Sequence, residues 1–294
     1  TSEVERTSPL QSGYGNHIMA IEEATRRGTD ILLHEWSDPF TQPLDGTTLL
    51  EEVMVATANA SDVLHIKPVG NLNGSNKHIE EVVLPDELTS MPFLIEEGAG
   101  EGPGFFALVG SLQWRGDGGG ELDIELVSPG TPEDRVALVT GGERVQESHK
   151  VGQDFITVTL EETSAGTHLL RFYIFSAAAD IALAAGRWSF EIAGATGALE
   201  MIGRVSDYQT TWNGGVGWVR PGGERYTLSF PSAAATGIAV GSYSGRYPSG
   251  NAPLGSLRDY SGRGTSFDGR VLDGLIAPDD AFAPLALTDR IAEL

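Results

Sequence analysis

Cysteine is absent from the 294 residues, so neither disulfides nor thiolate chemistry can contribute to this protein. Large secreted proteins often dispense with cysteine, so the absence leaves the compartment open. Basic residues are scarce: 19 Lys and Arg stand against 41 Asp and Glu, a formal charge of -22. A surface of that sign repels phosphate, which argues against nucleic acid as a partner. It keeps the chain soluble and suits carboxylate-bound Ca²⁺ or a salty environment, without specifying either. No apolar run reaches the length of a membrane span, and no signal peptide begins the chain. The first residue, Thr1, implies a processed or engineered chain.

Hydrophobic residues make up 40% of the chain, enough for one large or two ordinary domains with proper cores. Residues 1–13 are polar and read as an extended lead-in. Asn16 can cap a helix over 17–27, with Ile18, Ile21 and Ala24 on one face and Gly28 ending it. Asp30–Trp36 reads as a buried strand, followed by a loop (SDPFTQPLDG). A second helix is expected over 48–60, with Leu49, Leu50, Val53 and Ala56 as its apolar stripe. The run Val63–Val69 is a second strand, ending in a turn marked by Gly70, Asn71 and Gly74. Strand, helix, strand at this spacing predicts a parallel right-handed crossover, hence an α/β sheet. Ligands in such sheets gather at the carboxyl ends of the strands, which is where Asn71 falls.

Beyond Leu84 the helical period gives way to short alternating segments: 103–110, 121–128, 134–141, 154–161, 168–176 and 187–194. Leu122, Ile124 and Leu126 face one way, as do Ile156, Val158 and Leu160, and again Trp188, Phe190 and Ile192. This pattern predicts an antiparallel, jelly-roll-like β-sandwich, with Phe172, Tyr173, Phe175, Trp188 and Phe190 in its core. The α/β pattern returns near Tyr226 with the strand-like run 237–242. The expected organisation is an α/β unit in two pieces, 1–84 and 227–294, interrupted by a sandwich over 85–226.

Four segments carry a family likeness: HIMAIEEATRRGTDILLHEWS (17–37), DGTTLLEEVMVATANASDVLHIKPVGNLNG (45–74), FPSAAATGIAVGSY (230–243) and LRDYSGRGTSFDGRVLDGLIAPD (257–279). In this order they resemble the subtilisin-like serine proteases, and the sandwich lies outside the match. The resemblance implies a subtilase-like parallel sheet, with Asn71 as the oxyanion-hole residue. It implies that Pro68, Val69 and Gly70 line the specificity pocket, and that Leu33, His34, Glu35 and Trp36 form the strand on which a peptide or protein substrate pairs. Glu35 stands where the family has a small serine, Lys67 to Val69 replace small alanines, and Asp279 replaces a glycine. The Asp, His and Ser segments of the family's triad would lie outside residues 1–294, so the resemblance implies a partial catalytic domain, inactive alone. It also implies a secreted or cell-envelope setting of bacterial type, with the missing parts of the protease domain as a partner.

Competing motifs read differently. Gly264-Thr265-Ser266 spells the nucleophile triplet, but Phe267-Asp268-Gly269-Arg270 after it is turn chemistry rather than a helix start. The six histidines have no metal-ligand spacing, although His34 and His65 fall on adjacent strands and are expected as hydrogen-bonded core histidines. The sequence demands no cofactor. Ca²⁺ is the candidate ion, with Asp117 and Asp123 as carboxylates that lack the spacing of a known loop. The acidic pairs at 22–23, 51–52, 80–81 and 96–97 read as solvated faces. Two functions therefore compete: part of a serine endopeptidase, or a degenerate, non-catalytic relative that binds peptides or partner proteins through its sandwich.

Overall fold

A computed structural model describes residues 9–97, 107–116, 119–130, 134–146, 148–177, 181–207, 215–220, 222–245 and 253–278. The chain opens with α1 (Pro9–Arg26), β1 (Ile31–Leu33), α2 (Leu49–Ser61) and β2 (Leu64–Pro68). Twelve strands follow before the chain returns: β3 (His78–Val83), β4 (Thr89–Ile95), β5 (Ala107–Arg115), β6 (Asp123–Val127), β7 (Arg135–Thr140), β8 (Glu143–Arg144), β9 (Ser148–Val151), β10 (Asp154–Glu162), β11 (His168–Ser176), β12 (Gly186–Ala193), β13 (Leu199–Ser206) and β14 (Val216–Trp218). Then come β15 (Ile238–Tyr243) and β16 (Gly274–Pro278).

Strands β1, β2, β15 and β16 form one four-stranded sheet in that order, with every pairing parallel. Its register sets Ile31 opposite Leu64, Ile66 opposite Ile238, and Val240 opposite Leu275. Both helices pack on one face. Ile21 of α1 and Leu50 and Met54 of α2 are buried against Phe230 and Ala234, with Leu32 and Trp36 at the margin. The other strands form two six-stranded antiparallel sheets, β3-β13-β5-β11-β10-β9 and β14-β4-β12-β6-β7-β8. Between them lies the largest core cluster of the molecule. Leu122, Ile124, Leu126, Ile156, Val158, Trp188, Phe190 and Ile192 all sit in it, as their alternation requires.

Several expectations need correcting. The lead-in over 1–13 is helical from Pro9, because the apolar face Tyr14–Ile18–Ile21 extends the helical period upstream and Pro is tolerated at a helix start. The strand expected over Asp30–Trp36 is only Ile31–Leu33. One further ladder bond follows, from the His34 amide to the Ile66 carbonyl at 2.9 Å, and then the chain turns Trp36 into the helix-covered core. Leu49 is 65% exposed, so the buried stripe of α2 runs through Leu50 and Met54 instead. Within the aromatic set, Phe172, Trp188 and Phe190 are core, but Tyr173 is exposed and Phe175 half-buried on the outer face of the sheet. Glu51, expected on a solvated face, is fully buried. β3 lies ahead of residue 85 and pairs with β13 in the sandwich.

The sandwich is bonded to the α/β part through polar contacts rather than hung from it. Ser111 Oγ donates to the Phe40 carbonyl at 2.7 Å, Gln113 Nε2 to the Gln42 carbonyl at 3.0 Å, and Arg171 Nε to the Thr41 carbonyl at 2.7 Å. These bonds fix the 38–45 loop, whose own turn is closed by Asp38 accepting from the Phe40 and Thr41 amides. Arg204, fully buried, donates to the carbonyls of Pro39, Tyr226 and Leu228, which belong to both α/β pieces.

Candidate active site

The turn after β2 is built by its neighbours as much as by its own residues. Val69 continues the ladder by donating to the Val240 carbonyl at 3.1 Å, and its own carbonyl accepts from the Ser229 amide at 2.9 Å. Gly70 follows with φ 88°, in the left-handed region where glycine carries no steric penalty. A Cβ there would lie 2.0 Å from Ser229 Oγ, so the site excludes any side chain twice over. The Gly70 carbonyl accepts from the Gly262 amide at 3.0 Å, and the Asn73 amide donates to the Tyr260 carbonyl at 3.2 Å. Three segments, 69–73, 227–230 and 258–263, thus converge at the carboxyl end of the parallel sheet.

Asn71 is exposed on this fixed turn, whereas Asn73 is buried and its amide nitrogen donates to the Asp259 carbonyl at 2.5 Å. The two asparagines divide the work: Asn73 ties the turn down, and Asn71 presents its amide to solvent. A side-chain amide on a fixed turn at a strand's carboxyl end can donate to an oxyanion forming beside it.

The expected substrate-binding residues divide between the two faces of the sheet. Leu33 is 62% exposed on the side away from the helices, and Glu35 is exposed beyond the strand end. Pro68 and Gly70 are half-buried beside Asn71. His34, Trp36 and Val69 point the other way. Trp36 meets Tyr14 edge-on at 5.1 Å and Phe230 at 5.6 Å, and Val69 packs with Leu228 and Ala239. The sheet's alternation turns the side chains of these three residues toward the covered face.

His34 and His65 stack with centroids 5.2 Å apart, and His34 Nε2 lies 2.9 Å from His65 Nδ1. His65 Nε2 lies 3.0 Å from Thr57 Oγ1, which is also within bonding distance of the Val53 carbonyl at 2.9 Å and the Met54 carbonyl at 3.1 Å. Burial lowers both imidazoles to about 4, with the neighbouring His65 and Lys67 opposing charge on His34 and Lys67 opposing it on His65. Neutral and mutually bonded, the pair links β1, β2 and α2. Among the described residues no group of three or more His, Cys, Asp or Glu could hold a metal ion; Asp117 lies outside them, and Asp123 accepts from the Gly141 amide at 2.8 Å.

Lys67 and Glu51 are a buried pair that the sequence presents only as a departure from the family pattern and as part of an acidic, solvated face. Lys67 is buried and its Nζ donates to the carbonyls of Ala234 at 2.9 Å and Thr236 at 2.6 Å, bracing the segment that enters β15. Burial lowers its ammonium to about 8 and raises the Glu51 carboxyl to about 7, each partly offset by the charge of the other. The Thr48-x-x-Glu51 spacing was the available signal. Thr48 caps α2, and Glu51 bonds back to it in a capping box. Ser266 is buried in a turn, its hydroxyl spent on Asp268 and the Arg270 backbone, so it is no exposed nucleophile.

No protein-family model matches the chain, and no curated protein matches it. Among solved structures, the fold is similar to that of the CspB protease of Clostridium perfringens, with a TM-score of 0.64 and 16% sequence identity over 92% of this chain. The match covers 51% of that chain, so the present chain spans about half the length of the structure it resembles. At this identity the likeness is one of fold: a mostly β protein with the architecture of part of a protease.

Proposed function

We propose that this chain is part of a subtilisin-like serine endopeptidase and carries its oxyanion-hole segment. The observation behind this reading is Asn71, exposed on the glycine-fixed turn at the carboxyl end of β2. The four ordered segments of family likeness and the fold shared with a protease support it. In this reading Asn71 donates to the oxyanion of the tetrahedral intermediate, while a Ser, a His and an Asp outside this chain attack, shuttle the proton and orient the base. Leu33, Glu35, Pro68 and Gly70 flank the substrate, and the acidic, cysteine-free chain works in the cell envelope or outside the cell.

The isolated chain is expected to hydrolyse no peptide; turnover blocked by a serine-directed inhibitor would overturn the partial-enzyme reading. In the longer product of its reading frame, Asn71→Ala is expected to lower kcat about a hundred- to a thousandfold with KM little changed. An unchanged kcat would remove Asn71 from the role. The non-catalytic binding-module reading draws on a separate feature. A cavity of about 530 Å³ lies between the sandwich and α1, lined in part by Tyr14, Gln42, Thr157, Arg171 and Tyr173. Peptide binding lost in Tyr173→Ser, with no hydrolysis by the longer product, would favour it.

A further inference from the structure

One sheet of the sandwich, β3-β13-β5-β11-β10-β9, turns its inner face to the core and its outer face toward the α/β part. The 38–45 loop lies over only part of that outer face, where it is held by Ser111, Gln113 and Arg171. Beyond the loop the outer positions are aromatic. Tyr173 and Phe175 stand two apart on β11, and the register sets Phe155 of β10 directly opposite Phe175. Their rings make one row, with centroids 5.6 Å apart from Tyr173 to Phe175 and 5.7 Å from Phe175 to Phe155. Tyr173 is 47% exposed and the two phenylalanines are half-buried, so ring surface is left open. At its Tyr173 end the row runs into the cavity of about 530 Å³, whose lining also includes Tyr14, Gln42 and Thr159. That volume falls within the roughly 300–1,000 Å³ of small-molecule sites.

We infer that this cavity and the aromatic row beside it bind a neutral oligosaccharide. The C–H face of a sugar ring packs on the electron-rich face of an aromatic ring, and successive sugars can lie over successive aromatics. Sugar hydroxyls also need donors and acceptors around them. The Tyr173 hydroxyl, Thr159 Oγ1 and Gln42 Oε1 supply both, and none of the three has a hydrogen-bond partner among the described residues. The charged side chain in the lining, Arg171, is already engaged: it donates to the Thr41 carbonyl and, at 2.7 Å, to the Glu161 carboxylate. Lys150 stands opposite Phe155, outside the lining. A charged ligand would therefore be desolvated in the cavity without a free counter-charge, whereas a neutral polyol needs none. An extended peptide is served less well, because β11 is paired on both sides, with β10 and β5, and offers it no free ladder there. A second copy of the chain is disfavoured by the formal charge of -22 that each carries. The inference stands apart from the protease reading, since it needs neither Asn71 nor a triad.

The test is calorimetric titration of the isolated chain with cellohexaose, maltohexaose, mannohexaose and N-acetylated chitohexaose. At least one is expected to bind, with a dissociation constant of about 1 mM or tighter. Tyr173→Ala is expected to weaken that binding about fivefold or more, and Thr159→Val, which keeps the shape but removes a hydroxyl, about threefold. Leu88→Ala, at an exposed leucine outside the lining, should leave it unchanged. Urea midpoints equal to that of the parent chain show that the variants are folded. Binding of none of the four sugars overturns the inference. So does binding that survives both Tyr173→Ala and Thr159→Val unweakened, which would put the sugar elsewhere. Retention of a degenerate peptide pool in place of the sugars, lost in Tyr173→Ala, overturns it in favour of a peptide site. Sugar binding by a chain whose longer product hydrolyses no peptide upholds the inference and removes the protease reading; hydrolysis without sugar binding does the reverse.

Discussion

At the residue scale the site depends on one glycine more than on its asparagine. Gly70→Ala forces a side chain into the left-handed region, costing about 1–3 kcal/mol, and into Ser229 besides. Gly28 makes the comparison, with φ 80° and nothing within 4 Å of the methyl that alanine would add, so Gly28→Ala meets backbone strain alone. Urea denaturation is expected to show Gly70→Ala as the clearly larger loss; equal losses would mean that the Ser229 contact relaxes freely. The histidines set an acid limit. His34 and His65 are held near 4 and His78 near 3, all by burial, so their folded values lie below the unfolded one near 6.5. Their stabilisation is complete above pH 6.5 and is lost as pH falls toward 4 and 3. Glu51, Glu80 and Asp154 are raised by burial and act in the opposite sense. His34→Gln combined with His65→Gln is therefore expected to flatten the fall in urea midpoint between pH 6.5 and 4; an unchanged slope would place the acid sensitivity elsewhere. The turn that carries Asn71 was legible because Gly70 and the strand before it are local signals. The burial of Glu51 was not, because α2 is packed against residues distant in sequence, Phe230 and Ala234 among them.

At the scale of elements, legibility followed the number of solvated faces. β6, β10 and β12 alternate visibly because one side meets the core and the other is more exposed. β5 and β13 lack that alternation because the sandwich core and the α/β loops bury them from both sides. Pro92 hides β4, although its carbonyl still accepts from the Val219 amide at 2.9 Å. For α1, the apolar face running back to Tyr14 outweighed the glycines and polar residues that suggested an extended lead-in. For α2, the capping box supplies a measurable quantity. Thr48→Ala removes the acceptor for the Glu51 amide and is expected to cost about 1 kcal/mol of unfolding free energy. Because the same hydroxyl donates to the Glu51 carboxylate at 2.8 Å, the variant should also raise the pH at which Glu51 ionises. Loss of stability with no change in that titration would show that the cap acts on the backbone alone.

At the scale of the whole molecule, two units with separate cores behave as one body only if their junction is strong. The shared apolar cluster is small: Leu44, Ile202, Tyr226 and Phe267. Arg204 does more, because its buried guanidinium serves the Pro39, Tyr226 and Leu228 carbonyls at once. A planar fork of donors can satisfy that many acceptors together, and an ammonium cannot reach them all. Arg204→Met keeps the stem but leaves three carbonyls unpaired, each worth about 1–3 kcal/mol when buried. The protein as it stands is expected to unfold in one calorimetric transition. Arg204→Met is expected to split it, the sandwich melting near its original temperature and the α/β unit, which holds Asn71, well below. Arg204→Lys should fall between them. A single transition shifted downward in both variants would instead mean that the apolar cluster couples the units. The junction would then act only as a general source of stability, and the turn that carries Asn71 would owe its rigidity to its own neighbours.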